Sequence, residues 1–466
     1  MWAYKTILCV ILFFGGGVFS LVNPIVGAVL YIMVYQITPN DRWWGLPLAA
    51  MGIRFSLLAV LFTLLGLVIS PHKVPRTKPL LTLWEWGLIL LLGFSALTTY
   101  TIGIGQHEGS IRTFEKFWKM ILFVVVLNRL ASTRRNIRIV LWSLVIGSLY
   151  LGHDAYTAPA SSFWLGRLSN VGGPDFRTTS GLGAHLTAML PLIGVLFLTT
   201  RQWHWRGLIL LSGALSVNGI ILCRTRSAFI GLIVGIAVAL VSLPKGIRFK
   251  MQVCIIVGSI AAMSLSDSYF WDRMATMTTS ESRSQDIATQ QRIQVWRASW
   301  RMFTDHPYGI GLNNFTQIIG QYDYRNKGRS PHNTIVLCFV ELGIQGGIVY
   351  ILMTIGALLK LRRCSRLAHL TRAPLETRVL IYGSLVAFVT YYVASLGTER
   401  LYCESFWWVF AMPQWLERMI RQEIEDRTLV PELARTRPLA GAVIGARTLR
   451  GNHEFDSGYR PRPAFS

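Results

Sequence analysis

Long apolar runs recur through this chain, separated by short segments rich in lysine and arginine, and that alternation excludes most soluble folds. About twenty apolar residues suffice to cross a bilayer as a helix, which satisfies every backbone N–H and C=O within the segment. Runs that meet or approach this length fall at 5–22, 24–37, 48–70, 80–98, 113–128, 136–156, 182–200, 207–223, 227–243, 251–266, 333–358, 378–396 and 403–416. They predict an all-α polytopic integral membrane protein with about twelve transmembrane helices. The short runs 24–37 and 403–416 are read as tilted, re-entrant or paired into one crossing. Only 15% of the 466 residues are charged, against about 25% in soluble domains. The start of the chain has Lys5 and an apolar stretch but no small-x-small cleavage site, so it is read as a retained first span.

The net charge of +23 would suggest nucleic acid in a soluble protein. Here the cations sit mostly in short connections, so no nucleic-acid partner is expected and the lipid bilayer is. Basic segments at 72–78, 129–138, 201–206, 245–250 and 360–378 all fall on one side if the runs alternate. The positive-inside rule makes that side cytoplasmic and leaves the side of the amino terminus open. The opposite face collects 99–112, 157–181, the turn 224–226 and the longest loop, 267–332. We read 1–416 as one membrane domain and 417–466 as a cytoplasmic tail, whose segment 436–466 lacks apolar periodicity and is expected to be disordered. The six cysteines are scattered, mostly within apolar runs, and suggest no disulfide framework. No phosphate-cradling glycine loop with a lysine, zinc-spaced cysteine pair or carboxylate cluster stands out, so neither metal nor cofactor is expected.

Five outer segments hold side chains suited to chemistry. His332, between Pro331 and Asn333, opens an apolar span directly after the long arginine-rich loop. A fixed imidazole at a membrane surface is either a general base or a neutral interfacial histidine. Asn333 is a candidate for orienting substrate, and Glu341, two turns on, for a paired carboxylate. Arg224 and Arg226 lie on a very short turn, as interfacial anchors or as a phosphate clamp suited to guanidinium geometry. Gln291–Trp300 predicts an amphipathic helix with Trp296, Trp300 and Arg292 on one face; it either anchors the loop or offers tryptophan to sugar and Arg292 and Arg297 to phosphate. Arg177, after Gly172-Gly173-Pro174, is a further anion-site candidate. His306, in the turn Asp305–Phe315, is the rival histidine.

These residues resemble the O-antigen ligase and polymerase superfamily of bacterial inner membranes. The ligase pattern His-[Asn/Ser/Gln]-x9-Gly-x-x-[Gly/Thr/Tyr] is met by His332, Asn333, Gly343 and Gly346. Thr225-Arg226-Ser227-Ala228 is similar to a Ser-Arg-small segment, with Thr in place of Ser. Arg292 to Trp296, followed by Pro307, Gly309 and Gly311, is similar to the family's Arg-x3-Trp and Pro-x-Gly-x-Gly pieces. The resemblance spans about 220–350. It implies a metal-independent glycosyltransferase at the periplasmic face, with a glycan on undecaprenyl pyrophosphate as donor. The acceptor would be lipid A core, another glycan or a protein hydroxyl. His332 would be the general base, and Arg226 and Arg292 would hold the pyrophosphate. Alternatives are a polymerase of the same superfamily or a transporter of lipid-linked sugars. Span interiors nearly free of charge, apart from Arg54, Glu85 and Glu341, count against the transporter.

Overall fold

The computed structural model describes residues 4–75, 79–242, 245–266, 268–275 and 287–436. Its main elements are α1 (Tyr4–Val22), α2 (Pro24–Ile37), α3 (Leu46–Ala50), α4 (Phe55–Ile69), α5 (Leu83–Leu97), α6 (Glu108–Leu130) and α7 (Arg134–Tyr156). A hairpin of β1 (Phe163–Trp164) and β2 (Arg167–Leu168) follows. Then come α8 (Thr179–Thr199), α9 (Trp203–Cys223), α10 (Arg226–Ser242), α11 (Lys245–Leu265), α12 (Ser268–Ala275), α13 (Ile287–Asp305) and α14 (Phe315–Tyr322). The described chain ends with α15 (Thr334–Leu370), α16 (Leu375–Ser395) and α17 (Glu404–Thr436). This is an all-α membrane protein whose two strands pair over two residues each.

The boundaries follow local chemistry. Thr82 and Glu85 form a capping box at the start of α5, and Thr133 and Thr178 cap α7 and α8. Pro24 opens α2, where its missing N–H costs nothing.

Against the expected count of about twelve spans, seven helices among the described residues are long and apolar enough to cross a membrane. These are Tyr4–Val22, Leu83–Ile102, Arg134–Tyr156, Thr179–Thr199, Trp203–Cys223, Thr334–Leu370 and Leu375–Ser395. The shortfall has physical causes. Phe55–Ile69 and Arg226–Ser242 are apolar but short. The helix over 113–128 begins at Glu108 and carries Arg112, Glu115, Lys116 and Lys119. The run 403–416 lies wholly inside the molecule: Phe406, Trp407, Trp408, Phe410 and Trp415 are fully buried. A helix apolar on all sides belongs in such a core. Phe410 packs its ring tilted against Phe406 and Phe388, with ring centroids 4.2 and 4.4 Å apart. The domain boundary expected at 416 falls within α17, where Leu416, Met419 and Ile420 are buried, and the compact unit runs to Gln422. Arg283 and the tail 437–466 lie outside the described residues.

The interior also carries more charge than the apolar runs suggest, and it is neutralised locally. Arg418 meets Glu85 at 2.8 Å, both buried. Asn128 donates to Glu85 and accepts from the Trp415 indole at 2.6 Å. Removing charges from water is tolerated when the remaining lone pairs and donors are met in this way.

Candidate functional site

The span that begins at Thr334 is broken. Gly343 has φ +72° and ψ −175°, outside helical geometry. The break frees backbone groups of α15, and the turn 307–311 takes them up. Ile310 and Gly311 donate to the carbonyls of Val340 and Glu341 at 3.0 and 3.1 Å, and Ile344 donates to the Pro307 carbonyl at 2.9 Å. The fit requires glycine on both sides: a Cβ on Gly343 would lie 2.3 Å from the Tyr308 carbonyl carbon, and one on Gly309 2.7 Å from the Glu341 oxygen. Glu341 is buried and accepts from the Phe315 N–H and the Tyr402 hydroxyl, so its carboxylate fastens the 313–315 turn and the 397–403 loop. The carboxylate expected at Glu341 as one of a pair is thus engaged by the Phe315 N–H and the Tyr402 hydroxyl.

Two residues before this span sits His332, with φ +48°. Its loop is clamped from two sides. On one, α13 holds it: the Trp296 indole N–H donates to the Pro331 carbonyl at 2.8 Å, and Arg329 donates to Gln291 at 2.8 Å. On the other, the loop 397–403 holds it: the His332 N–H donates to Glu399, and Thr334 donates to the carbonyls of Ser395 and Thr398 at 3.1 and 3.0 Å. The imidazole Nδ1 lies 3.6 Å from Glu399 Oε1 and 3.4 Å from the Ser330 hydroxyl, with 44% of the side chain exposed. Burial opposes ionisation of Glu399, but hydrogen bonding and charge from His332, with help from Ser330, outweigh it and lower the carboxyl to about 2. One imidazole nitrogen is thus oriented by a carboxylate and a hydroxyl on a half-exposed ring.

The arginines divide. Arg226 begins α10 and donates to Thr289 of α13 at 3.1 Å. Its neighbour Ser227 packs so closely on Gly397 that a Cβ there would lie 2.5 Å from Ser227 Cβ. Arg226 therefore belongs to the assembly that carries His332. Arg224 does not follow it: in left-handed conformation it turns to the Gly166 carbonyl at the hairpin tip and over the Tyr269 ring at 5.4 Å. Arg177 pairs with Asp41 at 3.2 Å. Asn333 is the N-cap of α15, its side-chain oxygen accepting from Ile335 and Val336 at 2.9 and 3.1 Å.

The expected helix over 291–300 forms within α13. Val295, Ala298 and Met302 are buried, while Trp300 is 65% exposed and Trp296 39%. Ile293, Trp296, Arg297, Trp300 and Arg301 line a shallow groove of about 600 Å³. Arg292 is half-buried one turn before Trp296. His306 caps no comparable assembly; its N–H closes the end of α13 on Met302.

The sequence reading missed Glu399 and Arg400. Arg400 is buried and donates to the Asp175 carbonyl at 3.0 Å, while the Asp175 carboxylate takes Lys116 and the Tyr35 hydroxyl, the latter at 2.7 Å. Burial opposes the charge on Asp175, but Lys116, Tyr35 and Arg400 hold it below the usual carboxylate range. The available signal was the run Thr398-Glu399-Arg400 in a short connection between the last two apolar runs. Among the described residues no group of three or more His, Cys, Asp and Glu is placed to hold a metal ion.

Residues 211–351 match a family model described as O-antigen ligase, and residues 4–151 match one described as a family of unknown function. No curated protein matches the chain. The first match contains Arg224, Arg226, Arg292, Trp296, Arg297, His332 and Asn333, and it supports membership of the O-antigen ligase superfamily. Arg177 and Glu399 lie outside it.

Proposed function

We propose, from its place in the O-antigen ligase superfamily, that this multi-pass membrane protein transfers a glycan from undecaprenyl pyrophosphate to an acceptor hydroxyl. The observation that carries the reading is the doubly clamped His332 loop, with Glu399 behind the imidazole and the Arg226 turn packed, through Ser227, on the 397–403 loop that clamps it. With Nδ1 directed at Glu399 and Ser330, Nε2 is left to take the acceptor proton as general base. The acceptor oxygen then attacks the anomeric carbon, and the bond from that carbon to the pyrophosphate oxygen breaks. The electron pair leaves with the pyrophosphate, whose charge Arg226 and Arg292 would stabilise. Glu399 would stabilise the imidazolium formed on proton transfer. The groove along α13 offers Trp296 and Trp300 as stacking platforms for sugar, with Arg297 at its edge. Asn333 would hold the loop rather than touch substrate, and Arg177 and Arg224 would border the site rather than enter it. The reaction would need no metal, and the site would face the periplasm of the inner membrane, the side opposite the basic connections.

Transfer by purified protein tests the proposal, with undecaprenyl-pyrophosphate-linked glycan and lipid A core, oligosaccharide or peptide acceptors. His332→Ala and Arg226→Ala are expected to abolish transfer without changing membrane insertion, and chelator is expected to leave the wild type active. Full transfer by His332→Ala would overturn the mechanism. Products in the form of a ladder of repeats on the lipid carrier would assign the chain to the polymerases instead.

A further inference from the structure

We propose that a cleft between α10, α15 and α16, at the far end of α15 from His332, binds an anionic glycerophospholipid. The cleft has a volume of about 800 Å³. Its walls are apolar, with Val238 from α10, Leu359 from α15, and Leu385 and Val389 from α16. One end is polar and basic, formed by Arg362, Arg366 and His369.

Three observations point to a lipid with a charged head. The first is the division of cations on α15. Lys360 and Arg363 turn to α17 and meet Glu417 at 2.6 and 3.7 Å. Arg362 and Arg366, one turn apart, line the cleft instead, and neither has a carboxylate partner among the described residues. Guanidinium groups at i and i+4 share one helix face and can bracket a single phosphodiester. The second is a common polarity gradient. Each helix changes from apolar to polar toward the same end: Val238 to Ser242 on α10, Leu359 to Arg366 on α15, and Val389 back to Tyr382 on α16. The Ser365 and Tyr382 hydroxyls meet at 3.2 Å at that level and add hydrogen-bonding groups beside the arginines. The third is length. From Tyr382 to Val389 the wall of α16 rises about 10 Å, within the depth of one leaflet, about 15 Å. Acyl chains fit along the apolar walls with the phosphate at the arginines. A basic pocket between membrane helices is the usual form of an anionic-headgroup site.

The site does not depend on glycan transfer, and its test is separate. Purified wild-type protein is titrated with phosphatidylglycerol and with phosphatidylcholine of the same acyl chains. Retained lipid is read by native mass spectrometry and stabilisation by thermal unfolding. A preference of about tenfold or more for phosphatidylglycerol is expected from two arginines near the headgroup. Arg362→Gln with Arg366→Gln should bring the two lipids level while leaving glycan transfer unchanged. Leu385→Trp, which fills the cleft and keeps both arginines, should lose retained phosphatidylglycerol. Equal retention of the two lipids by the wild type, or an undiminished preference in either variant, would overturn the site. Displacement of phosphatidylglycerol by an equal concentration of undecaprenyl phosphate would overturn its assignment to a glycerophospholipid.

Discussion

At the His332 ring, geometry separates two roles that share one carboxylate. Glu399 accepts from the His332 backbone N–H and also stands 3.6 Å from Nδ1. Glu399→Gln keeps an acceptor for the backbone but removes the charge facing the ring. Transfer should fall by about a hundredfold, within the range that general acid–base catalysis contributes, while Trp296 fluorescence, which reports the clamp at Pro331, stays as in the wild type. The pH dependence follows in sign. The Glu399 carboxyl lies at about 2, below its ordinary value of 4.5, so its stabilisation is complete above 4.5 and is lost as pH falls toward about 2. The unfolding temperature of the wild type should therefore fall over that interval, and Glu399→Gln should lack this part of the dependence. Asn333 makes a contrasting case. Asn333→Ala should cost about 1 kcal/mol through the lost cap, and Asn333→Asp should recover it. A transfer defect persisting in the Asp variant at normal thermal stability would return Asn333 to substrate binding.

At the scale of elements, the Gly343 break and the 307–311 turn form one unit. Residues far apart in sequence complete each other's hydrogen bonds there, so neither the turn nor the break persists alone. Gly343→Ala meets two costs. The backbone at φ +72° and ψ −175°, a region essentially reserved for glycine, costs about 1–3 kcal/mol for a residue with Cβ, and the added carbon meets the Tyr308 backbone at 2.3 Å. The expected result is a lowered unfolding temperature together with loss of transfer, since the break opens three turns below His332. Unchanged stability in this variant would show that the break closes without cost.

Across the whole molecule, buried charge sets the order of its helices. The group Glu85, Asn128, Trp415 and Arg418 ties α5, α6 and α17 together. Arg418→Met leaves Glu85 buried without its ion pair and should cost about 3–5 kcal/mol. Replacing both with Glu85→Leu and Arg418→Met should cost much less, because the buried Glu85 charge is removed together with its partner. Denaturation of the single and double variants in detergent measures the difference, and equal losses would mean that packing rather than charge dominates there.

What the sequence determined by itself is what periodicity and local chemistry encode: an all-α membrane class, the helical form of Gln291–Trp300, most helix positions, and the order of the segments around His332. Those depend on runs and neighbours within a few residues. The sequence did not separate spans from buried core, because an apolar run such as 403–416 reads the same whether its surroundings are lipid or protein. Only the tertiary structure assigned partners. It separated Arg226 from Arg224, which stand two residues apart but turn to α13 and to the hairpin. It also brought Glu399 to His332 across 67 residues, a pairing that no local pattern carries, because it is fixed by helices α15 and α16 returning the chain to the same end of the molecule.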